Sequence, residues 1–194
     1  MNIEELRVGF AFCGSFCTMS KALDALEQTA ARFGPVTPIV SETVAATDTR
    51  FGKAHDFMRE MERLCDRRVI STVAGAEPIG PKGLLDVLVI CPCTGNTLAK
   101  LAHGVTDSSV TMAAKAHLRN GKPLVLALAT NDGLAGSAPN LGAMLSRKNV
   151  YFVPFGQDDY AGKPTSLVAD FALVPATVEA ACRGEQIQPI LVRG

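Results

Sequence analysis

The sequence predicts an α/β fold: a Rossmann-like or flavodoxin-like, three-layer, doubly wound parallel sheet. Apolar segments of strand length alternate with amphipathic segments of helix length. That order places helices on both faces of a parallel sheet. The strand segments are near-continuously apolar, as strands covered from both sides must be. Two of them, within RVGFAFCGS (Arg7–Ser15) and VLVICPCTGNT (Val87–Thr97), run into small-residue turns that open helices. Such turns aim free backbone N–H groups and the positive end of a helix dipole at one spot, which suits a phosphate. Two of them at the carboxyl ends of parallel strands predict a mononucleotide pocket.

The elements follow in order. Arg7–Cys13 is the first strand. Thr18–Phe33 is a helix, because Met19, Leu23, Leu26 and Ala30 recur at helical spacing, and Gly34-Pro35 stops it. Val36–Val40 is the second strand, followed by Ser41-Glu42-Thr43. Arg50–Cys65 reads as an amphipathic helix with Phe51, Ala54, Met58, Met61 and Cys65 on one stripe. Ser71–Gly83, rich in Gly and Pro, reads as a loop with room for a short strand. Asp86–Cys91 is a central buried strand that Pro92 should break. Asn96–His103 and Ser109–Asn120 are helices separated at Gly104, and Pro123–Ala129 is another buried strand. Leu141–Arg147 is a short helix, and Val150–Val153 a strand ending at Pro154. Leu173–Arg183 is the last helix, with Pro175 tolerable in its first turn and Gly184 as its stop. The chain is expected to form one domain over residues 1–194, with a loop or arm around 155–170. The stretch FGQDDYAGKP (Phe155–Pro164) is its candidate functional segment.

Composition narrows the function classes. Hydrophobic residues make up 47% of the 194 residues and the net charge is zero, so the chain is a folded protein without a basic nucleic-acid footprint. Trp is absent and Tyr occurs twice, too few aromatics for a base-stacking platform. No apolar run approaches the roughly 18 residues that span a bilayer. The start MNIEELR lacks the apolar core of a secretion signal, so a cytoplasmic protein is expected. The six cysteines lie in apolar or helical contexts and read as reduced thiols. Cys91 and Cys93 stand one residue apart, outside zinc spacing, and no metal site is expected.

Two turns carry the chemistry. The first, Gly14-Ser15, lacks both a dinucleotide fingerprint and a Walker lysine; by itself it also reads as a helix cap. Ser41 puts a hydroxyl after the second strand, where it faces the same crevice or caps a helix. The second turn, in CPCTGNTLAKLAHGVTD, offers Thr94, Gly95, Asn96 and Thr97: two hydroxyls, an amide and helix N-terminal N–H groups.

That segment resembles the strand–PxSANTxAKxAxGxxD pattern of the homo-oligomeric flavin-containing cysteine decarboxylases, a superfamily that includes flavin-binding prenyltransferase-type proteins. The CGS turn, the hydroxyl after strand two and Leu124–Ala129 followed by Thr130-Asn131 match the same pattern, over roughly residues 7–155. The segments AEPIGPKG, NLGAMLSRKNVYFVPFGQDD, KPTSLVAD and GEQIQPIL resemble, more narrowly, the dipicolinate synthase B-subunit family of spore-forming bacteria.

The resemblance implies FMN as cofactor. It implies a separate partner chain, the A subunit of dipicolinate synthase, which carries NADP, and a small dicarboxylate substrate. It also implies homo-oligomers, trimers or multiples of them, for which Ala99–Val105 and Val110–Leu118 are candidate contacts. The implied reaction oxidises a dihydrodipicolinate-type intermediate to dipicolinic acid in the mother cell during sporulation. It implies that Gly14 and Ser15 hold the flavin phosphate with Ser41 beside them. Thr94, Gly95, Asn96 and Thr97 then line the phosphate, ribityl and ring region; Asp107 and Ser108 lie near a subunit contact, and Asn131 stands at the Asn of a PAMN motif. Two departures weigh against decarboxylation. No His lies between His55 and His103, where the pattern has one near Glu77-Pro78, and PAMN has become Leu128-Ala129-Thr130-Asn131. The alternatives are a non-catalytic scaffold for the A subunit, or a flavin-dependent decarboxylase. Candidate bases are Glu77, Asp158, Asp159 and His103, and candidate carboxylate partners Lys82, Arg147, Lys148 and Lys163. Cys13, Cys17 and Cys93 are placed near the pocket, with no neighbouring cation to activate a thiolate.

Overall fold

The structure, a computed structural model, describes residues 3–192. Strand β1 (Val8–Phe12) is buried along its whole length. A turn of 3-10 helix at Phe16–Thr18 leads into α1 (Met19–Arg32), which buries Met19, Ala22, Ala25, Leu26 and Thr29 at helical spacing. Strand β2 (Val36–Val40) follows, then the short α2 (Glu42–Ala46), then α3 (Ala54–Cys65). Helix α3 starts four residues later than the apolar stripe suggests. Gly52 holds a φ of +148°, and a Cβ there would lie 2.8 Å from the Phe57 ring, so the chain turns before the helix can begin. The Asp48 carboxylate accepts the Ala54 N–H at 2.9 Å instead.

The Gly/Pro-rich stretch holds two short helical turns, α4 (Val73–Ala76) and a 3-10 turn at Glu77–Ile79, rather than a strand. Thr72 caps α4 by accepting the Gly75 N–H at 3.0 Å. Strand β3 (Val87–Cys93) is buried throughout and passes through Pro92 instead of breaking there. It absorbs the missing N–H as an irregularity: pairing steps from Ile90 opposite Leu126 to Cys93 opposite Leu128, and the Cys91–Pro92 peptide is cis. Then come α5 (Gly95–His103), α6 (Ser109–Leu118), strand β4 (Leu124–Thr130), α7 (Ala138–Leu145) and strand β5 (Val150–Phe152). Gly104, at φ +72°, ends α5 in the left-handed turn that a glycine accommodates without strain. The candidate arm is an antiparallel ribbon of β6 (Phe155–Gly156) and β7 (Leu167–Ala169), followed by α8 (Val174–Cys182).

The sheet runs β2-β1-β3-β4, all parallel, and the far side of β4 is shared. Its first half pairs in parallel with β5, and its last two residues pair antiparallel with β7. A parallel doubly wound sheet therefore carries a short antiparallel extension, which periodicity does not reveal. Helices α1 and α8 pack together, as do α4 with α6, α5 with α6 and α5 with α7, covering the sheet. No helix among the described residues is long and apolar enough to cross a membrane. Strand order reverses between β1 and β3, so the crevice of the sheet lies at the carboxyl ends of those two strands.

Candidate functional site

That crevice has a volume of about 320 Å³. It is lined by Gly14 after β1, by Ser41 after β2, by Thr94, Asn96 and Thr97 at the start of α5, and by Asp107 and Ser108 before α6. Loops far apart in sequence thus meet at one place. Ser15, Gly95 and Asn131 are not among its lining residues. Ser15 follows Gly14, with its N–H on the Cys13 carbonyl at 2.8 Å and its Oγ accepting from Thr18 at 3.0 Å. Gly95 faces the β4–α7 loop: a Cβ there would lie 2.6 Å from Ser137 Oγ, 2.7 Å from Thr130 Oγ1 and 2.9 Å from Asp132 Oδ1. Asn131 sits in that loop, its carbonyl accepting from Thr165 at 2.7 Å.

The crevice is built from caps. Thr94 accepts the Thr97 N–H at 3.2 Å and donates its hydroxyl to Thr97 Oγ1 at 3.1 Å. Thr97 in turn donates to the Cys13 sulfur at 3.1 Å, joining the end of β3 to the end of β1. Because the Thr97 N–H is capped, the N–H groups of Gly95 and Asn96 are the first-turn donors left over on α5. Ser41 caps α2 by accepting from Val44 at 3.3 Å, so its capping role and its place in the crevice coexist. Ser108 and Thr111 form a reciprocal capping box on α6.

Three charged groups face this space, two of which sequence reasoning missed. The Glu42 carboxylate accepts the Ser109 N–H at 3.0 and 3.2 Å, placing a negative charge on the N-terminus of α6. The Ser109 hydroxyl donates to the Val40 carbonyl at 2.5 Å and locks the same helix onto β2. Lys100 pairs with Asp107 at 2.9 Å, and this contact holds the Asp107 carboxyl below its usual range. The spacing of Asn96 and Lys100, four residues apart on one helical face, was the signal that could have found Lys100. Glu42 carried no such signal, since its partner Ser109 is 67 residues away.

The candidate bases lie elsewhere. Glu77 is in the 3-10 turn after α4, and His103 is exposed at the end of α5. Asp158 accepts from Ser166 at 2.7 Å within the arm, and Asp159 accepts the Gly162 N–H at 2.8 Å. None of the four lines the crevice. Of the candidate carboxylate partners, Arg147 and Lys148 come together in a different groove, Lys163 pairs with Asp158, and Lys82 stands apart from the crevice. Cys13 lines the crevice but burial pushes its thiol up to about 11, and burial also holds the Cys93 thiol well above its ordinary value; both stay protonated at neutral pH. Cys17 is exposed and Cys182 half-buried, while the other four cysteines are buried.

The sequence profile of the flavoprotein family matches residues 2–149. The B subunit of dipicolinate synthase from Bacillus subtilis (strain 168) is 45% identical over 191 residues, covering 98% of this chain and 96% of that protein. The crystal structure of the dipicolinate synthase B subunit from Bacillus halodurans C superposes with a TM-score of 0.91 at 44% identity, covering 100% of this chain and 99% of the other. An FMN-dependent cysteine decarboxylase shares the fold at a TM-score of 0.69 and 18% identity, over 92% of this chain and 98% of that one.

Proposed function

The chain belongs to the flavoprotein family, among the B subunits of dipicolinate synthase, and from that premise we propose that its crevice binds FMN and that it works with the A subunit in making dipicolinate. The observation that carries this reading is the convergence of Gly14, Ser41, Thr94, Asn96, Thr97 and Ser108 on one crevice at the switch point of the sheet. The donor set suits the phosphate and ribityl parts of the cofactor. The free N–H groups of Gly95 and Asn96, the Asn96 amide and the Lys100 ammonium take the phosphate, with Ser41 and Ser15 at the rim. Asp107 is an acceptor suited to ribityl hydroxyls, whereas the Glu42 carboxylate, engaged by Ser109, only places a charge unfavourable to a dianion at close range. Gly95 keeps α5 close against Thr130, Asp132 and Ser137, and so fixes where that N-terminus points. Asn131 adds a polar group at the end of β4.

FMN, when bound, supplies a two-electron acceptor. Oxidation of a dihydrodipicolinate-type ring to the aromatic dicarboxylate removes a hydride and a proton. This chain's part is to orient the ring and keep water from it, with NADP on the partner chain as the final acceptor in a cytoplasmic, sporulation-stage reaction. A homo-oligomer, trimeric or a multiple of three, completes the reading, and light scattering tests it: the mass of a single chain would refute it. Reconstitution tests the whole. The A subunit, NADP and the dihydro substrate should yield dipicolinate faster with this chain than without it, and equal rates would refute a catalytic role.

A second reading, a scaffold that docks the A subunit without redox chemistry, is favoured by one observation: none of the four candidate bases lines the crevice, while two carboxylates do. It predicts tight association with the partner chain and a rate indifferent to Asn96→Ala.

A further inference from the structure

The carboxyl-terminal ends of α5, α6 and α7 converge on a second groove, of about 490 Å³. Leu101, Val105 and Leu118 give it apolar surface, and Val105 is 43% exposed. Its charged lining consists of Lys100, Lys115, Arg119, Arg147 and Lys148, without one carboxylate. Lys100 pairs with Asp107 and also lines the crevice, so the two concavities adjoin at that side chain. Arg147 donates to the Leu101 carbonyl at 3.0 Å. Lys115, Arg119 and Lys148 are exposed and make no ion pair among the described residues.

Helix dipoles account for part of this. Each of three helix ends carries roughly half a negative charge, which leaves more than two of the four remaining cations unmatched. A chain of zero net charge has thus gathered positive charge around apolar surface. A small dianion would match some of these cations and leave the apolar surface wet. A protein segment covers both.

We propose that this groove docks an acidic segment of the A subunit, with an apolar side chain against Leu101, Val105 and Leu118 and carboxylates against Lys115, Arg119 and Lys148. The proposal rests on the two-subunit reading above. A charged rim around an apolar anchor makes association fast and sensitive to salt. Docking here would also bring the partner against Lys100, and hence beside the crevice.

The test titrates full-length protein with the A subunit, in low and in high salt, comparing the wild type with the triple variant Lys115→Glu, Arg119→Glu, Lys148→Glu. All three side chains are exposed, and thermal melting together with FMN dialysis verifies that the variant is folded. A double reversal on α3, Arg59→Glu with Arg63→Glu, serves as a control for general charge. The triple variant should bind the partner chain about 30-fold more weakly, chiefly through slower association. Its binding should lose the salt dependence of the wild type, and the α3 control should bind normally. Equal binding by the wild type and the triple variant overturns the docking proposal alone. If the triple variant instead changes the mass of this chain alone in light scattering, the groove is a contact between copies, for which Ala99–Val105 and Val110–Leu118 are the candidate segments; if it also loses binding of dipicolinate, used as a small-anion probe, the groove is a small-molecule site, and either result overturns the docking proposal. A wild type without affinity for the partner chain refutes the two-subunit reading, and the docking proposal with it.

Discussion

The crevice and the basic groove sit on either side of Lys100 and are built in opposite ways. In the crevice nearly every polar group is already engaged within the chain: Thr94 with Thr97, Thr97 with Cys13, Glu42 with Ser109, Lys100 with Asp107. Such mutual satisfaction holds a few remaining donors in place, as a site for one small ligand requires. In the groove four exposed cations, Lys115, Arg119, Arg147 and Lys148, have no ionic partner among the described residues and surround apolar surface. That arrangement is left to be completed from outside. The difference separates a preorganised pocket from a docking surface, although α5 and α6 contribute to both: their amino-terminal ends to one, their carboxyl-terminal ends to the other.

Helix α6 serves both regions, so the largest predicted effect comes from loosening it. His117 lies buried on α6 with its Nε2 donating to the Pro123 carbonyl at 2.9 Å, and burial lowers its pKa to about 4. The folded state therefore favours the neutral ring. The stability it contributes is complete above the unfolded value near 6.5 and is lost as pH falls towards 4, an effect of about 3 kcal/mol. Asp86, held well below the usual carboxylate range by Arg7, loses its contribution only at lower pH, so the two windows separate. Denaturant midpoints measured from pH 7 to pH 4 should fall steeply in the wild type and much less in His117→Gln. Parallel curves would show that His117 is not held neutral.

The next effect isolates the crevice. Gly95→Ala forces a methyl group into the linked hydroxyls and carboxylate of Thr130, Ser137 and Asp132, and should cost about 1–3 kcal/mol. It should weaken FMN binding while leaving the affinity for the partner chain unchanged. Loss of both would mean that the two regions are not separable. Ser108→Ala removes one half of the α6 capping box and should lower stability by about 1 kcal/mol in thermal melts. A larger loss would point to a role beyond capping. Smallest is Glu42→Gln, which removes a negative charge from the crevice yet keeps a carbonyl oxygen for the Ser109 N–H. It should tighten FMN binding by about 3-fold at low salt. Weaker binding would identify Glu42 as a ligand to the cofactor's hydroxyls.

Much of this molecule is legible in its sequence. The bounds of Val36–Val40 follow from Pro35 and Ser41, which punctuate it, and the continuous apolar character of β1, β3 and β4 reflects burial on both faces. The start of α3 is not legible, because the apolar stripe extends through Phe51 while the deciding contact is Gly52 against Phe57. Pro92 reads as a break because local rules treat proline as one; pairing with β4 resumes one residue beyond it. The caps around the crevice are visible as hydroxyls before helices. Glu42 is not, since its meaning depends on Ser109, and the basic groove gathers residues from three helix ends that no local window spans.

Equilibrium dialysis with FMN tests the central claim most directly, applied to the wild type, to Asn96→Ala and to the triple groove variant. The account predicts one FMN per chain, about 10-fold weaker in Asn96→Ala and unchanged in the groove variant. Absence of binding even with the partner chain present, or equal binding by all three proteins, would contradict the assignment of the crevice as the cofactor site.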